Sequence, residues 1–135
     1  MPRRKLLLDT GPLVAYFDKR DAYHQRAVAF FREFDADFLT CWPVITEASH
    51  FLPVAKRAYL LRLVESGALE VGDVQLGAGR IAALLEKYAD IEPDLADISL
   101  VYLAEVAGIA EIATIDDDFA VYRIGGRKRF IVVGP

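Results

Sequence analysis

The sequence predicts a three-layer α/β/α fold with a mainly parallel central sheet. Short, mostly apolar runs recur at Leu6–Leu8, Phe38–Cys41, Ala68–Val71, Glu111–Ile115 and Phe130–Val133, and they read as strands. Stretches at helical spacing separate them, the alternation expected of a helix-covered sheet with right-handed crossovers. Acids stand directly after the first and fourth runs, where open α/β sheets bind ligands. At 135 residues the chain fits one domain, 1–135, large enough for a real core.

Composition narrows the class. A hydrophobic content of 54% and a positive mean hydropathy argue against disorder. No apolar stretch approaches the roughly 20 residues of a membrane span, so no membrane partner is expected. The start, Met1-Pro2-Arg3-Arg4-Lys5, is basic, but only three leucines follow before Asp9, too few for a signal peptide. The single cysteine, Cys41, excludes an internal disulfide and a structural zinc site of its own, and a cytoplasmic location is the expectation. The net charge of −4, from 20 acidic and 16 basic residues, disfavours nucleic acid on its face. Four clustered acids would account for the whole imbalance, and divalent ions would neutralise them.

Taken in order, Leu6-Leu7-Leu8 reads as a strand buried on both faces, and Asp9 ends it. Gly11-Pro12 breaks the strand and admits a helix, with Pro12 at or near its first position, where a missing N–H costs nothing. Asp9 is then either the N-cap of that helix or a carboxylate that needs a cation. The helix runs from Leu13 to Asp18 and Lys19-Arg20-Asp21 breaks it. Asp21 can cap an amphipathic helix over Ala22 to Phe34, with Ala27, Phe30, Phe31 and Phe34 on one face. His24, in its first turn, reads as a surface or cap side chain.

Trp42-Pro43 ends the second strand, and a helix from Pro43 to about Val54 follows. Glu47 lies about one turn in, on the face of Pro43 and Phe51, looking back toward the strand end. His50 reads as structural, and Cys41 and Trp42 as packing. Pro53 interrupts this helix, Ala55 to Val64 forms the next, and Ser66-Gly67 stops it. Gly72-Asp73 turns the third strand, and Ile81, Leu84, Leu85 and Tyr88 mark a helix over Leu76 to Ala89.

Pro93-Asp94 opens the last long helix, with Asp94 as N-cap and Asp97 at the third helical position, a pair resembling a capping box. Ile98, Val101, Tyr102 and Glu105 carry it to Gly108, apolar on most sides, with Asp97 at its exposed mouth. The fourth strand runs into Asp116-Asp117-Asp118-Phe119, repeating the grammar of Leu8-Asp9; one of these acids would cap a turn over Phe119 to Tyr122. Arg123, Arg127, Lys128 and Arg129 form a basic run around Gly125-Gly126 before the final strand.

In a parallel sheet all strand C-termini face one side, so Asp9, Glu47, Asp97 and Asp116 can meet in one cleft. Their mutual repulsion at reduced dielectric makes sense mainly as a site for hard divalent cations. An all-oxygen ligand set favours Mg²⁺ or Mn²⁺ over zinc. Such ions typically serve phosphodiester hydrolysis. Thr10 and Thr114, each beside a strand-end acid, are placed to support a carboxylate or to satisfy local backbone.

Leu-Leu-Leu-Asp9-Thr10, Glu47 on its helix, Asp97 opening a helix, and Thr114-Ile115-Asp116-Asp117-Asp118-Phe119 together resemble the PIN-domain (PilT N-terminus) nucleases, in order and spacing over essentially the whole chain. The resemblance implies a PIN-like fold and a Mg²⁺- or Mn²⁺-dependent endoribonuclease, most often the VapC-type toxin of a type II toxin–antitoxin pair. By position Asp9, Glu47, Asp97 and Asp116 take the catalytic roles and Asp9, Asp97 and Asp116 hold metal, with Asp118 replacing or assisting Asp116. It also implies an RNA substrate, a homodimer, and an antitoxin whose peptide fills the acidic cleft, often with a basic side chain. Gly11-Pro12 departs from the family, where Asn or Ser is frequent after the Asp-Thr pair. The departure touches hydrogen bonding around the site rather than its ligands.

The basic residues Arg123, Arg127, Lys128 and Arg129, with Arg3, Arg4 and Lys5, either track RNA or form ordinary solvated surface. Two other functions compete. One is a non-catalytic PIN-like module whose acids hold a partner's basic segment. The other is a response-regulator-like phosphoacceptor, which needs an acceptor Asp at a middle strand and a Lys after a late one, and no Lys accompanies Asp116.

Overall fold

The computed structural model describes residues 3–135; Met1 and Pro2, which open the basic N-terminal run, lie outside the described residues. Strands β1 (Lys5–Leu8), β2 (Asp37–Cys41), β3 (Leu69–Gly72) and β4 (Glu111–Ala113) join β7 (Ile131–Gly134) in a parallel sheet ordered β3-β2-β1-β4-β7. Helices α1 (Thr10–Phe17) and α2 (His24–Glu33) connect β1 to β2, and α3 (Trp42–His50) and α4 (Val54–Glu65) connect β2 to β3. Helices α5 (Ala78–Lys87) and α6 (Leu95–Ala107) lead into β4. Strands β5 (Arg123–Ile124) and β6 (Lys128–Arg129) form a separate antiparallel hairpin. Strand order reverses between β1 and β4, the point at which such sheets open a crevice at their C-terminal edge.

The leucines of β1 show why this strand is central: Leu6, Leu7 and Leu8 are buried, as residues covered by helices on both faces must be. Helix α6 is sunk almost as deeply, with Ile98, Leu100, Val101 and Ala104 fully buried. Its ends are defined chemically. The Asp94 carboxylate accepts the N–H of Asp97 at 2.8 Å, and Gly108 closes the helix in the left-handed region at φ 69°.

Several boundaries differ from the sequence expectation. The helix expected over Ala22 to Phe34 begins at His24, because the Asp21 side chain accepts the N–H of Tyr23 and holds a turn ahead of it. The helix expected to reach Val54 ends at His50, three residues before Pro53. The stretch from Leu76 to Ala89 contains α5 between two 3₁₀ turns, Gln75–Gly77 and Ala89–Ile91. Thr114 and Ile115 leave the strand, which stops at Ala113, and Phe130 is a buried plug before β7 rather than part of it. Trp42 and His50, expected in structural roles, are exposed, whereas Cys41 is buried as expected.

Candidate active site

Asp9 directly follows β1 and is the N-cap of α1. Its N–H extends the parallel ladder to the Ala113 carbonyl at 3.0 Å, which puts the side chain at the strand reversal. Its Oδ1 accepts the backbone N–H of Thr10 at 2.8 Å and its Oδ2 accepts the Thr114 hydroxyl at 2.7 Å. The two alternatives open in the sequence, cap or ligand, are therefore compatible: the cap bond orients the carboxylate, and its outer face remains in the cleft.

Asp116 leaves β4 two residues beyond Thr114, and its N–H donates to the Thr114 hydroxyl at 3.0 Å. Its Oδ1 accepts the N–H of Asp118 at 2.9 Å, capping the 3₁₀ turn Asp117–Ala120. Asp97 comes from the first turn of α6 and accepts the buried Tyr122 hydroxyl at 3.2 Å. The sequence placed Asp97 at an exposed mouth; it is buried, because the Phe119–Tyr122 segment folds over the start of the helix.

One carboxylate oxygen from each of Asp9, Asp97 and Asp116 lies within 4.8 Å of the other two. Burial pushes the Asp9 carboxyl up to about 6, with Asp116 and Glu47 adding repulsion and the Thr114 and Thr10 bonds opposing it. Burial pushes Asp97 higher, to about 9, and Asp9, Asp94 and Asp116 reinforce the shift. Two buried acids whose proton affinity is raised in this way, with the Asp116 carboxylate beside them, constitute a site short of positive charge.

Glu47, in α3, borders the same cleft but stands outside this group of three. Its carboxyl is raised by burial first and then by the neighbouring Asp94 carboxylate. Asp94 lines the cleft too. The sequence offered Asp94 only as a helix cap, and its proximity to Glu47 depends on how α3 and α6 pack, which spacing does not reveal. Tyr122 was missed for the same reason. The Thr10 hydroxyl is buried without a hydrogen bond of normal geometry, although it lies near enough to Glu47 to hold that carboxyl partly down.

Asp118 is not among the three clustered acids; its backbone, rather than its carboxylate, serves the site by fixing Asp116. The basic residues lie elsewhere. Arg123 donates to the carbonyls of Ala120, Val121 and Tyr122, closing the end of the 3₁₀ turn. Arg127, Lys128 and Arg129 are exposed around a hairpin whose Gly125 N–H is tied to Glu105. Glu105 is eight residues beyond Asp97 on α6, about 12 Å along the axis at ~1.5 Å per residue. Arg3, Arg4 and Lys5 sit at the opposite, N-terminal edge of the sheet, paired with Asp35 and Asp37, Glu111, and Glu70 respectively.

Neither histidine nor Cys41 belongs to the cluster. His24 Nδ1 is bound to the Ala15 carbonyl at 2.7 Å, and burial pushes the Cys41 thiol up to about 12, leaving it uncharged. The donor set is oxygen alone. Mg²⁺ and Mn²⁺ favour such sets; Mg²⁺ takes them at about 2.0–2.1 Å in octahedral geometry, so its ligand atoms stand at most about 4.1 Å apart. The cluster, with its ligand atoms no more than 4.8 Å apart, is of that scale.

No protein-family model matches the chain, and no curated protein matches it. Among solved structures it is similar to VapC20 of Mycobacterium tuberculosis, described as a sarcin–ricin loop cleaving toxin. The TM-score is 0.78 at 17% sequence identity, covering 86% of this chain and 93% of that one. A likeness at this identity is one of fold, and it gives the five-stranded parallel sheet and its flanking helices the PIN-like architecture of VapC.

Proposed function

We propose that this chain is a Mg²⁺- or Mn²⁺-dependent endoribonuclease and the toxin of a type II toxin–antitoxin pair, working as a cytoplasmic homodimer. The observation that carries the reading is the triad of buried Asp9 and Asp97 with half-buried Asp116 at the strand reversal, in a fold shared with an RNA-cleaving toxin. Asp9, Asp97 and Asp116 would hold the cation. When bound it supplies a polarised water and neutralises charge at the scissile phosphate. Asp9 contributes a carboxylate locked on one oxygen by Thr114 and on the other by a backbone N–H, so little reorganisation accompanies binding. The N–H of Asp118 fixes Asp116 in the same way. Glu47, outside the triad with a raised proton affinity, takes the proton of the attacking water at its carboxylate.

The test is RNA cleavage with Mg²⁺ or Mn²⁺ by Asp9→Asn and Asp97→Asn variants, alongside calorimetric titration of the wild type with each ion. Both variants are expected to lose cleavage while remaining folded. Full activity in both, or no ion uptake at millimolar concentration, overturns the nuclease reading in favour of a module that binds a basic peptide.

A further inference from the structure

The acidic cleft is lined by no cation, yet a polyanion must reach it. The surface changes sign around Phe51, at the C-terminal end of α3. Phe51 is 60% exposed and lines the cleft as well as the two depressions on either side of it. One depression, of about 700 Å³, runs from Glu47 and Asp94 to His50 and Arg57. The other, of about 410 Å³, is bordered by Lys19 and Lys56. Arg57 Nε donates to the carbonyls of Ser49 and Leu52 at 2.9 and 2.7 Å, which anchors the guanidinium on backbone and leaves its outer N–H groups unbonded. Lys19, Lys56 and Arg57 have no carboxylate partner among the described residues.

Building on the nuclease reading, we propose that the Phe51 surface is the platform on which single-stranded RNA lies as it enters the cleft. A base stacks on Phe51, Arg57 binds the adjoining phosphate, and Lys19 and Lys56 neutralise the next. An exposed aromatic flanked by unpaired cations is the combination that holds unstacked bases and their backbone, whereas a paired duplex offers no free base face to Phe51. The contact surface is thus not the basic hairpin at the far end of α6, where the sequence had its densest positive charge.

The test compares cleavage kinetics of single-stranded RNA by the full chain carrying Phe51→Ala, Arg57→Gln or Lys56→Gln with those of an Arg127→Gln/Lys128→Gln/Arg129→Gln control. Binding is measured in parallel by anisotropy of a labelled single-stranded RNA, with Ca²⁺ in place of Mg²⁺. Phe51→Ala and Arg57→Gln are expected to raise KM and Kd roughly tenfold with kcat nearly unchanged. Each lost cation should reduce the salt slope of log K by about 0.7. The hairpin control should match wild type. Phe51→Ala, at an exposed position, and Lys56→Gln keep the test decisive should Arg57→Gln unfold the end of α3. Wild-type affinity in the Phe51→Ala and Lys56→Gln variants, or loss of binding in the control, overturns the platform alone. A wild-type chain that cleaves no RNA overturns the nuclease reading and the platform with it.

Discussion

The Thr114 hydroxyl donates to Asp9 Oδ2 at 2.7 Å and accepts the N–H of Asp116 at 3.0 Å, so one side chain ties together the two acids that leave adjacent strands. Removing it leaves a buried carboxylate oxygen and a backbone N–H without partners, and lets the proton affinity of Asp9 climb further. Thr114→Val is therefore expected to cleave RNA about tenfold more slowly near neutral pH, with part of the loss recovered as the pH is raised. Thr114→Ser, which keeps the hydroxyl, should stay close to wild type. Equal activity of the valine and serine variants across the pH profile would remove Thr114 from the mechanism.

The raised carboxyls make a second expectation about stability. Asp9 titrates at about 6 and Asp97 at about 9 in the folded chain, both above the roughly 3.9 of an unfolded aspartate. The folded state therefore binds more protons, and this contribution is complete below about pH 4 and is lost as pH rises through about 6 and then about 9. Glu105 and Glu111, held low by Arg80 and Arg4, act in the opposite sense, but only below their ordinary value near 4.5. In chelator, Tm should accordingly be higher at pH 5 than at pH 8. Mg²⁺ or Mn²⁺ should raise Tm at pH 8 and do little at pH 5, since metal and protons compete for the same oxygens. Asp97→Asn should flatten the pH dependence and abolish the metal response. Thermal melts at both pH values decide it, and a flat wild-type profile in chelator would contradict the electrostatics of the cluster.

Tyr122 offers a further separation of structure from chemistry. Its fully buried ring packs edge-on to Tyr88 and Phe119 at 5.1 and 5.2 Å, and its hydroxyl meets Asp97 Oδ2 at 3.2 Å. Tyr122→Phe keeps the ring and removes only the hydrogen bond, so a stability loss of about 1–2 kcal/mol is expected by chemical denaturation. With the Asp97 carboxylate less well oriented, kcat should fall several-fold while KM holds. A change in KM alone would place the effect at the RNA surface instead.

The residues that carry the site were legible to different depths. Asp9 and Asp116 could be read because a short apolar strand ending in an acid is a local pattern, and a parallel sheet brings such ends to one edge. Asp97 could be read as a helix-entry acid, but its burial could not, since that depends on the segment around Tyr122 lying over it. The pairing of Asp94 with Glu47 and the position of Phe51 arise from packing between α3, α4 and α6, which periodicity within one helix does not report. The three carbonyl bonds of Arg123 are likewise a product of the fold: in sequence, such a guanidinium looks the same as one open to a phosphate.

Gly11, where the chain departs from the resembling family, has a steric cause. A Cβ there would lie 2.5 Å from Cγ1 and 2.9 Å from Cδ1 of Ile115, the residue between Thr114 and Asp116. Any side chain at position 11 must displace Ile115, and a displaced Ile115 pulls on the two residues that hold and form the triad. Gly11→Ala is expected to cost about 1–3 kcal/mol by overpacking and to lower kcat more than it raises KM. The paired substitution Gly11→Ala with Ile115→Ala supplies the missing space and should recover most of the activity, a coupling readable in a double-mutant cycle. If the two substitutions are instead additive, Ile115 has simply turned aside in the single variant and the collision does not reach Asp116.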